Sequence, residues 1–232
     1  MAIDSPPMTR VTACTRALAA LGSPARAAAE KRYHRSTLRF LGCGVPAVRA
    51  QARVLDSDLG PCPDDELREL VDDLFATGIH ELRGLAIALL ERRAGTLAAA
   101  ALPWLVSLVR ASPYWAHVDW LAIKVVGPVW RRTPRRRALA RAWAADDDLW
   151  VRRTALLAHL DDLKAGGDFA PFAAIAVPLL SERAFFIRKA IGWVLREVAR
   201  RRPELVVAFV QEHGDAMSGL TRREATRHLP AS

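Results

Sequence analysis

The sequence predicts an all-α protein, an α-solenoid of paired antiparallel helices, and three observations lead there. Apolar residues recur at helical spacing along most of the chain, and no stretch shows the period-two alternation of a half-buried strand. Helix starts near Pro46, Ile79, Trp115, Leu149 and Arg183 fall about 34 residues apart, inside the range of helical repeats. No linker is long enough to divide the chain, so a single domain over residues 1–232 is expected. Stacked helix pairs bury their apolar faces against their neighbours and leave a concave face for a partner.

Residues 1–8 carry two prolines and little to bury, and are expected to form a loose tail. Residues 10–21 read as the first helix. Ser23-Pro24 supplies an N-cap followed by proline at the first helical position, opening a helix that runs to about Tyr33. Residues 40–46 form a glycine-punctuated turn, and Pro46 starts a helix through Leu55. Pro63-Asp64-Asp65-Glu66 opens the next one, with acids where the helix dipole favours them. Leu67, Leu70, Val71, Leu74 and Phe75 follow on one stripe, and Leu82, Leu85, Ala86, Leu89 and Leu90 repeat that spacing. Further helices are expected at 98–109, 115–126, 135–145, 150–160, 172–180, 184–202 and 203–212. Thr221-Arg222-Arg223-Glu224 fits a capping box before a short terminal helix.

Half of the 232 residues are hydrophobic, enough for one or two compact cores. The formal net charge is +9, and the cations are mostly arginines, many of them after Arg131. Arginine's planar fork matches phosphate, so the balance suits a polyanion. The alanine richness offers a compositional explanation as well, which keeps charge alone a modest argument. Cys14, Cys43 and Cys62 are few and widely spaced, with no CxxC, as in a reduced cytoplasmic protein without a structural zinc site. The apolar run 97–109 is broken by Pro103 and too short to span a bilayer, and the N-terminus lacks the order of a secretory signal. No phosphate-binding GxxxxGK[ST], no GxGxxG after a strand and no GxSxG is present. His80-Glu81 lacks the second histidine of a zincin helix, and the six histidines show no metal-ligand spacing, which leaves surface or core roles for them.

Two stretches stand out. In 181–202, Ile187, Ile191, Val194 and Val198 form a buried stripe, while Lys189, Trp193, Arg196 and Arg200 lie on roughly the opposite face. A tryptophan centred in a charged face fits a cationic surface that holds an aromatic ring against nucleic acid. Periodicity alone favours the other reading, an indole packed by a neighbouring helix with basic side chains snorkelling around it. In 112–124, Trp115 and Asp119 are i and i+4 and share a helix face. A carboxylate beside an indole suits a cation, including a sugar that turns positive as its glycosidic bond breaks. The other reading pairs Asp119 with a nearby arginine and gives Trp115 to the core. In Trp150-Val151-Arg152-Arg153, one arginine must point away from the stripe of Leu149, Leu156, Leu157 and Leu160, either as a phosphate clamp or into solvent. The run 131–137, with five arginines, is a dense basic loop and helix start, able to grip a DNA backbone or simply to be solvated.

These pieces resemble the AlkD family of HEAT-like-repeat DNA alkylation-repair glycosylases. The strongest match is 185–197, FFIRKAIGWVLRE; 220–225, LTRREA, looks like the family's terminal helix start. Tyr33, with 40–42 and 46–49, looks like its N-terminal pattern, and the resemblance runs over about residues 28–229. It implies HEAT-like repeats curved around a concave DNA-binding cleft. Residue by residue, it makes Trp115 the first cleft tryptophan, Asp119 the catalytic aspartate and Trp193 the second cleft tryptophan. Arg153 matches the arginine that holds the DNA backbone beside the lesion, and Tyr33 the tyrosine on the cleft's N-terminal side. Lys189, Arg196 and Arg152 join Arg153 and Tyr33 as expected DNA-binding residues. Ala116 and Trp120 depart from residues common in similar proteins, which bears on substrate range more than on the reaction.

The resemblance further implies excision of cationic N3- or N7-alkylated purines from double-stranded DNA: 3-methyladenine, 7-methylguanine or bulkier adducts. The base would stay stacked, no metal or organic cofactor would be needed, and an abasic site would remain. A monomer of the bacterial cytoplasm, nucleoid-associated when bound to DNA and not membrane-bound, is expected. Two rivals stand beside this reading: a HEAT-like module that binds DNA without chemistry, and a protein-interaction scaffold.

Overall fold

The computed structural model describes residues 7–229. Among them β-pairing is limited to an isolated parallel bridge between Arg39 and Ile79. The all-α expectation therefore holds. Most of the expected tail, residues 1–6, lies outside the described residues. Pro7 and Met8 instead belong to the first helix, α1 (Pro7–Ala20), because proline in a first helical turn gives up an N–H that has no partner there anyway.

The chain forms two compact units, the first comprising Met1–Leu97 with Ser112–His117. It contains α1, α2 (Pro24–His34), α3 (Val45–Leu59), α4 (Asp64–Ala76) and α5 (His80–Arg93). α4 starts where expected, with Asp64, Asp65 and Glu66 in its first turn. α5 differs from its sequence pattern. The spacing suggests one apolar stripe, yet Gly84, Ile87 and Ala88 are buried along with it, because α1, α3 and α4 all pack on this helix. Each of its fully buried leucines contributes about 1.5–3 kcal/mol. Glu81 is 1 % exposed and accepts backbone N–H bonds from Leu41 at 2.9 Å and Gly42 at 2.6 Å. That carboxylate pins the glycine turn. Gly42 has φ +80°, and a Cβ there would lie 2.2 Å from the Ser23 carbonyl oxygen, so only glycine fits.

The second unit comprises Ala98–Ala111 and Val118–Ser232. After α6 (Leu102–Arg110), α7 (Trp115–Leu121) enters it from the first unit. α7 does not stop near Val126 as its apolar pattern suggests. A π-helical stretch, Ala122–Val126, carries it into α8 (Gly127–Arg131). Pro128 lacks an N–H, and its ring would crowd the carbonyl of Lys124 in a regular α-helix; the wider turn just before it relieves both problems. Then follow α9 (Arg136–Ala144), α10 (Leu149–Leu157), α11 (Leu160–Lys164), α12 (Ala170–Ala176), α13 (Phe185–Ala199), α14 (Pro203–His213) and α15 (Gly219–Ala225). Asp148 caps α10 by accepting from the N–H groups of Trp150 and Val151.

α13 organises this unit, packing against α10, α11, α14 and α15. Ile187, Ile191, Val194 and Val198 are all buried, as their spacing predicts. At Gly192 a Cβ would meet the Cβ of Glu224 at 2.6 Å, so the glycine is what lets α15 lie this close. The capping box expected at Thr221 is not formed. Ser218 is the N-cap and accepts from the Thr221 N–H, and Glu224 turns to partners on α13.

Candidate active site

Asp119 sits one turn into α7, and Arg153 lies in the middle of α10. Their side chains form a two-pronged ion pair, with Arg153 Nε donating to Asp119 Oδ1 at 2.6 Å and Nη2 donating to Oδ2 at 2.8 Å. Both residues are buried, Arg153 at 3 % exposure and Asp119 at 9 %. The guanidinium is anchored on its far side as well. Its Nη1 donates to the Phe186 carbonyl at the start of α13, and the Phe186 ring lies 5.7 Å from the guanidinium carbon. Burial pushes the Asp119 carboxyl up, and the Arg153 hydrogen bonds and charge pull it back without cancelling the rise. The result is a sequestered carboxylate held in one orientation by a rigid fork. Of the two sequence readings of Asp119, the arginine partner is the one present, and it is the other residue the resemblance singles out.

Arg152, expected on DNA, is committed within the protein. It pairs with Glu182 at 2.9 Å and donates to the carbonyls of Asp146 and Asp147. On α13, Trp193 is half-buried. Lys189, one turn before it, and Arg196, almost one turn after, both hold Glu224 of α15. The Glu224 carboxyl is held below its usual range, first by the Lys189 hydrogen bond and then by the nearby cations. Lys189 and Arg196 therefore flank the indole on the expected face, fixed in place by the carboxylate that the sequence pattern assigned to a capping box.

In the first unit, Tyr33 at the end of α2 and Trp115 at the start of α7 come together, ring centroids 6.3 Å apart and edge to face. Tyr33 is 73 % exposed, unusual for a large aromatic side chain. Behind the pair lies a group of rings that sequence reasoning missed. His34 packs 5.4 Å from Trp115 and 4.9 Å from Tyr114. His80 stacks on Phe40 at 4.5 Å and on His117 at 4.6 Å, and it shares a short hydrogen bond with the Tyr114 hydroxyl. Burial lowers the pKa of all three histidines: His34 modestly, His80 to about 4, His117 well below its ordinary value. They act here as neutral aromatic packing. Among the described residues no group of histidine, cysteine, aspartate and glutamate side chains is arranged to hold a metal ion. No described helix is long and apolar enough to cross a membrane.

Phe186 lies inside the 185–197 motif, so its position is visible in the sequence but its grip on Arg153 is not. Glu224 reads in the sequence as the acid of a capping box; its actual partners, Lys189 and Arg196, are 35 and 28 residues away in the chain, which local spacing does not show.

Comparison with known proteins gives the arrangement a context. A family model described as DNA alkylation repair enzyme matches residues 14–229. A solved structure described as a predicted DNA alkylation repair enzyme from Enterococcus faecalis superposes with a TM-score of 0.81 at 22 % identity, covering 91 % of this chain and 98 % of the other. AlkD2 from Streptococcus mutans gives a TM-score of 0.61 at 15 % identity, covering 81 % and 91 %. The alkylpurine DNA glycosylase AlkC of Pseudomonas fluorescens, bound to DNA containing an abasic-site analogue, gives 0.52 at 16 % identity, covering 94 % of this chain and 62 % of that one. At these identities the structural likenesses establish a shared helical-repeat fold. No curated protein matches the sequence.

Proposed function

The chain belongs to the DNA alkylation repair enzyme family, and from that premise we propose that it is a monofunctional DNA glycosylase acting on cationic N3- and N7-alkylated purines in duplex DNA. The observation that carries the proposal is the buried Asp119–Arg153 pair. Alkylation at N3 or N7 puts a positive charge on the purine, which then leaves as a neutral base when the C1′–N9 bond breaks. The positive charge passes to the deoxyribose, whose transition state resembles an oxocarbenium ion. A fixed carboxylate next to that sugar stabilises the developing charge without reorganising. A carboxylate has about four acceptor positions, so an arginine that takes one on each oxygen leaves one on each for the sugar side and for a water. Asp119 orients that water and accepts its proton as it adds to C1′, leaving an abasic site.

Arg153 spends three of its five N–H groups on Asp119 and Phe186, and the other two remain for a backbone phosphate. Following the family resemblance, Trp115, Trp193 and Tyr33 are the aromatic residues of the proposed site, and a ring face presented to the sugar cation adds about 0.5–2 kcal/mol. A carboxylate for the sugar and a guanidinium for the phosphate are compatible with chemistry on a base that stays stacked, as the family resemblance implies. Lys189 and Arg196 add positive charge beside Trp193. The test is a duplex holding a single 7-methylguanine. Free 7-methylguanine should appear while the strand stays intact until alkali is added. Tight binding with no released base would instead support a DNA-binding protein without chemistry.

A further inference from the structure

Residues 131–141, at the turn from α8 into α9, hold six arginines and no acid. Four arginines elsewhere in this unit are tied closely to carboxylates: Arg110 to Asp146 at 2.5 Å, Arg152 to Glu182 at 2.9 Å, Arg153 to Asp119 and Arg196 to Glu224. The patch is different. Arg131 reaches Asp162 only at 3.4 Å and Arg137 reaches Asp168 only at 3.5 Å, the latter with both side chains well exposed. The side chains of Arg135 and Arg141 form no ion pair among the described residues, and both are exposed. Three of the arginines, 135 to 137, stand at the start of α9, whose first turn has no acid. Cations there meet the positive end of the helix dipole as well as each other. That clustering is electrostatically unfavourable for the fold, and an anion laid across it would relieve both repulsions.

The turn is also built rigidly. Trp130, itself buried, donates its indole N–H to the Arg136 carbonyl at 2.7 Å. Arg136 donates to the Arg131 carbonyl at 3.0 Å, and Thr133 Oγ1 donates to the Val129 carbonyl at 3.1 Å. The arginines surround a hollow of about 470 Å³ that continues along α9 to Arg141. A pre-formed, arginine-lined surface with little internal neutralisation matches a row of phosphates better than it matches a single small anion.

We propose that this patch is a second docking surface for the phosphate backbone of duplex DNA, engaged whether or not a lesion is present. It would hold the protein on undamaged DNA between encounters with damaged bases. This goes beyond the glycosylase reading and does not depend on the chemistry at Asp119.

The experiment compares wild type with a variant carrying Arg135→Gln, Arg137→Gln and Arg141→Gln, and with a control carrying Arg16→Gln, Arg53→Gln and Arg223→Gln. A second patch variant, Arg135→Glu with Arg141→Glu, guards against loss of folding in the first, and thermal melting checks all of them. The probe is a labelled, undamaged duplex, titrated at several salt concentrations. The patch variants should lose about ten-fold or more in affinity, and the slope of log K against log salt should fall by about two to three in the triple variant. The control should keep most of the slope. Release of 7-methylguanine at saturating enzyme should be the same in wild type and patch variants. Equal slopes in the patch variants and wild type would overturn the proposal, as would a patch variant that binds undamaged DNA normally but releases base slowly. Should wild type release no base while the patch variants still lose affinity, the glycosylase reading fails and this one stands.

Discussion

Arg153 sets what kind of carboxylate Asp119 can be. Burial pushes the Asp119 carboxyl toward its neutral form and Arg153 opposes that push, and a neutral acid cannot stabilise a sugar cation. Arg153 keeps it ionised and points it. Replacing Arg153 with Ala is therefore expected to move the acidic limb of the pH–rate profile to higher pH, because the term that pulls the Asp119 carboxyl down is gone while its burial remains. The same change should cost about 3–5 kcal/mol in stability, since it strands a buried charge. Arg153→Lys should recover part of the stability but not the fork, and its profile should lie between the two. The sequence made both residues candidates, through an i, i+4 pairing with Trp115 and through the Trp-Val-Arg-Arg run. It did not show that they touch, since they are 34 positions apart. It could not show either that Arg152, one residue away, is spent on Glu182.

At the scale of elements, α13 was the most legible and α7 the least. The 187–191–194–198 stripe gave the buried face of α13 directly, and Trp193 falls on the opposite side as its spacing requires. What the pattern did not give is the partner on that opposite side, α15, which approaches over Gly192. Gly192→Ala is expected to destabilise the protein by about 1–3 kcal/mol in denaturant titration, although alanine is the better helix former, because the methyl must push α15 away. A stabilised variant would mean that the close approach is not maintained in solution. For α7 the sequence pattern places the helix over 115–126. A π-helical stretch is invisible to a 3.6-residue period, so the continuation to Arg131 was missed. That continuation is what sets the arginine turn at the far end of the helix carrying Asp119.

For the whole molecule, the repeat spacing near 34 residues anticipated the true starts of α3, α5, α7, α10 and α13 to within two residues. Charge and spacing between them thus gave the fold class and the direction of the functional reading. The buried histidines were not legible, because nothing in the sequence separates a surface histidine from a core one. They have a consequence for stability. His80 and His159 titrate near pH 4 in the folded protein, both lowered chiefly by burial, against about 6.5 in an unfolded chain. Between those values the unfolded chain binds protons that the folded chain does not. Stability should therefore be steady above about pH 6.5 and fall progressively from there to about pH 4. Melting temperature measured across that window checks this, and His159→Phe should flatten the fall.

The measurement closest to the centre of the account is single-turnover release of 7-methylguanine from duplex DNA by wild type and by Asp119→Asn. Asparagine keeps the size and one acceptor but removes the charge. Release by wild type, slowed by about two to three orders of magnitude in the variant while DNA affinity is kept, is the expected result. Equal rates in the two proteins would contradict it, and would take the chemistry away from the Asp119–Arg153 pair.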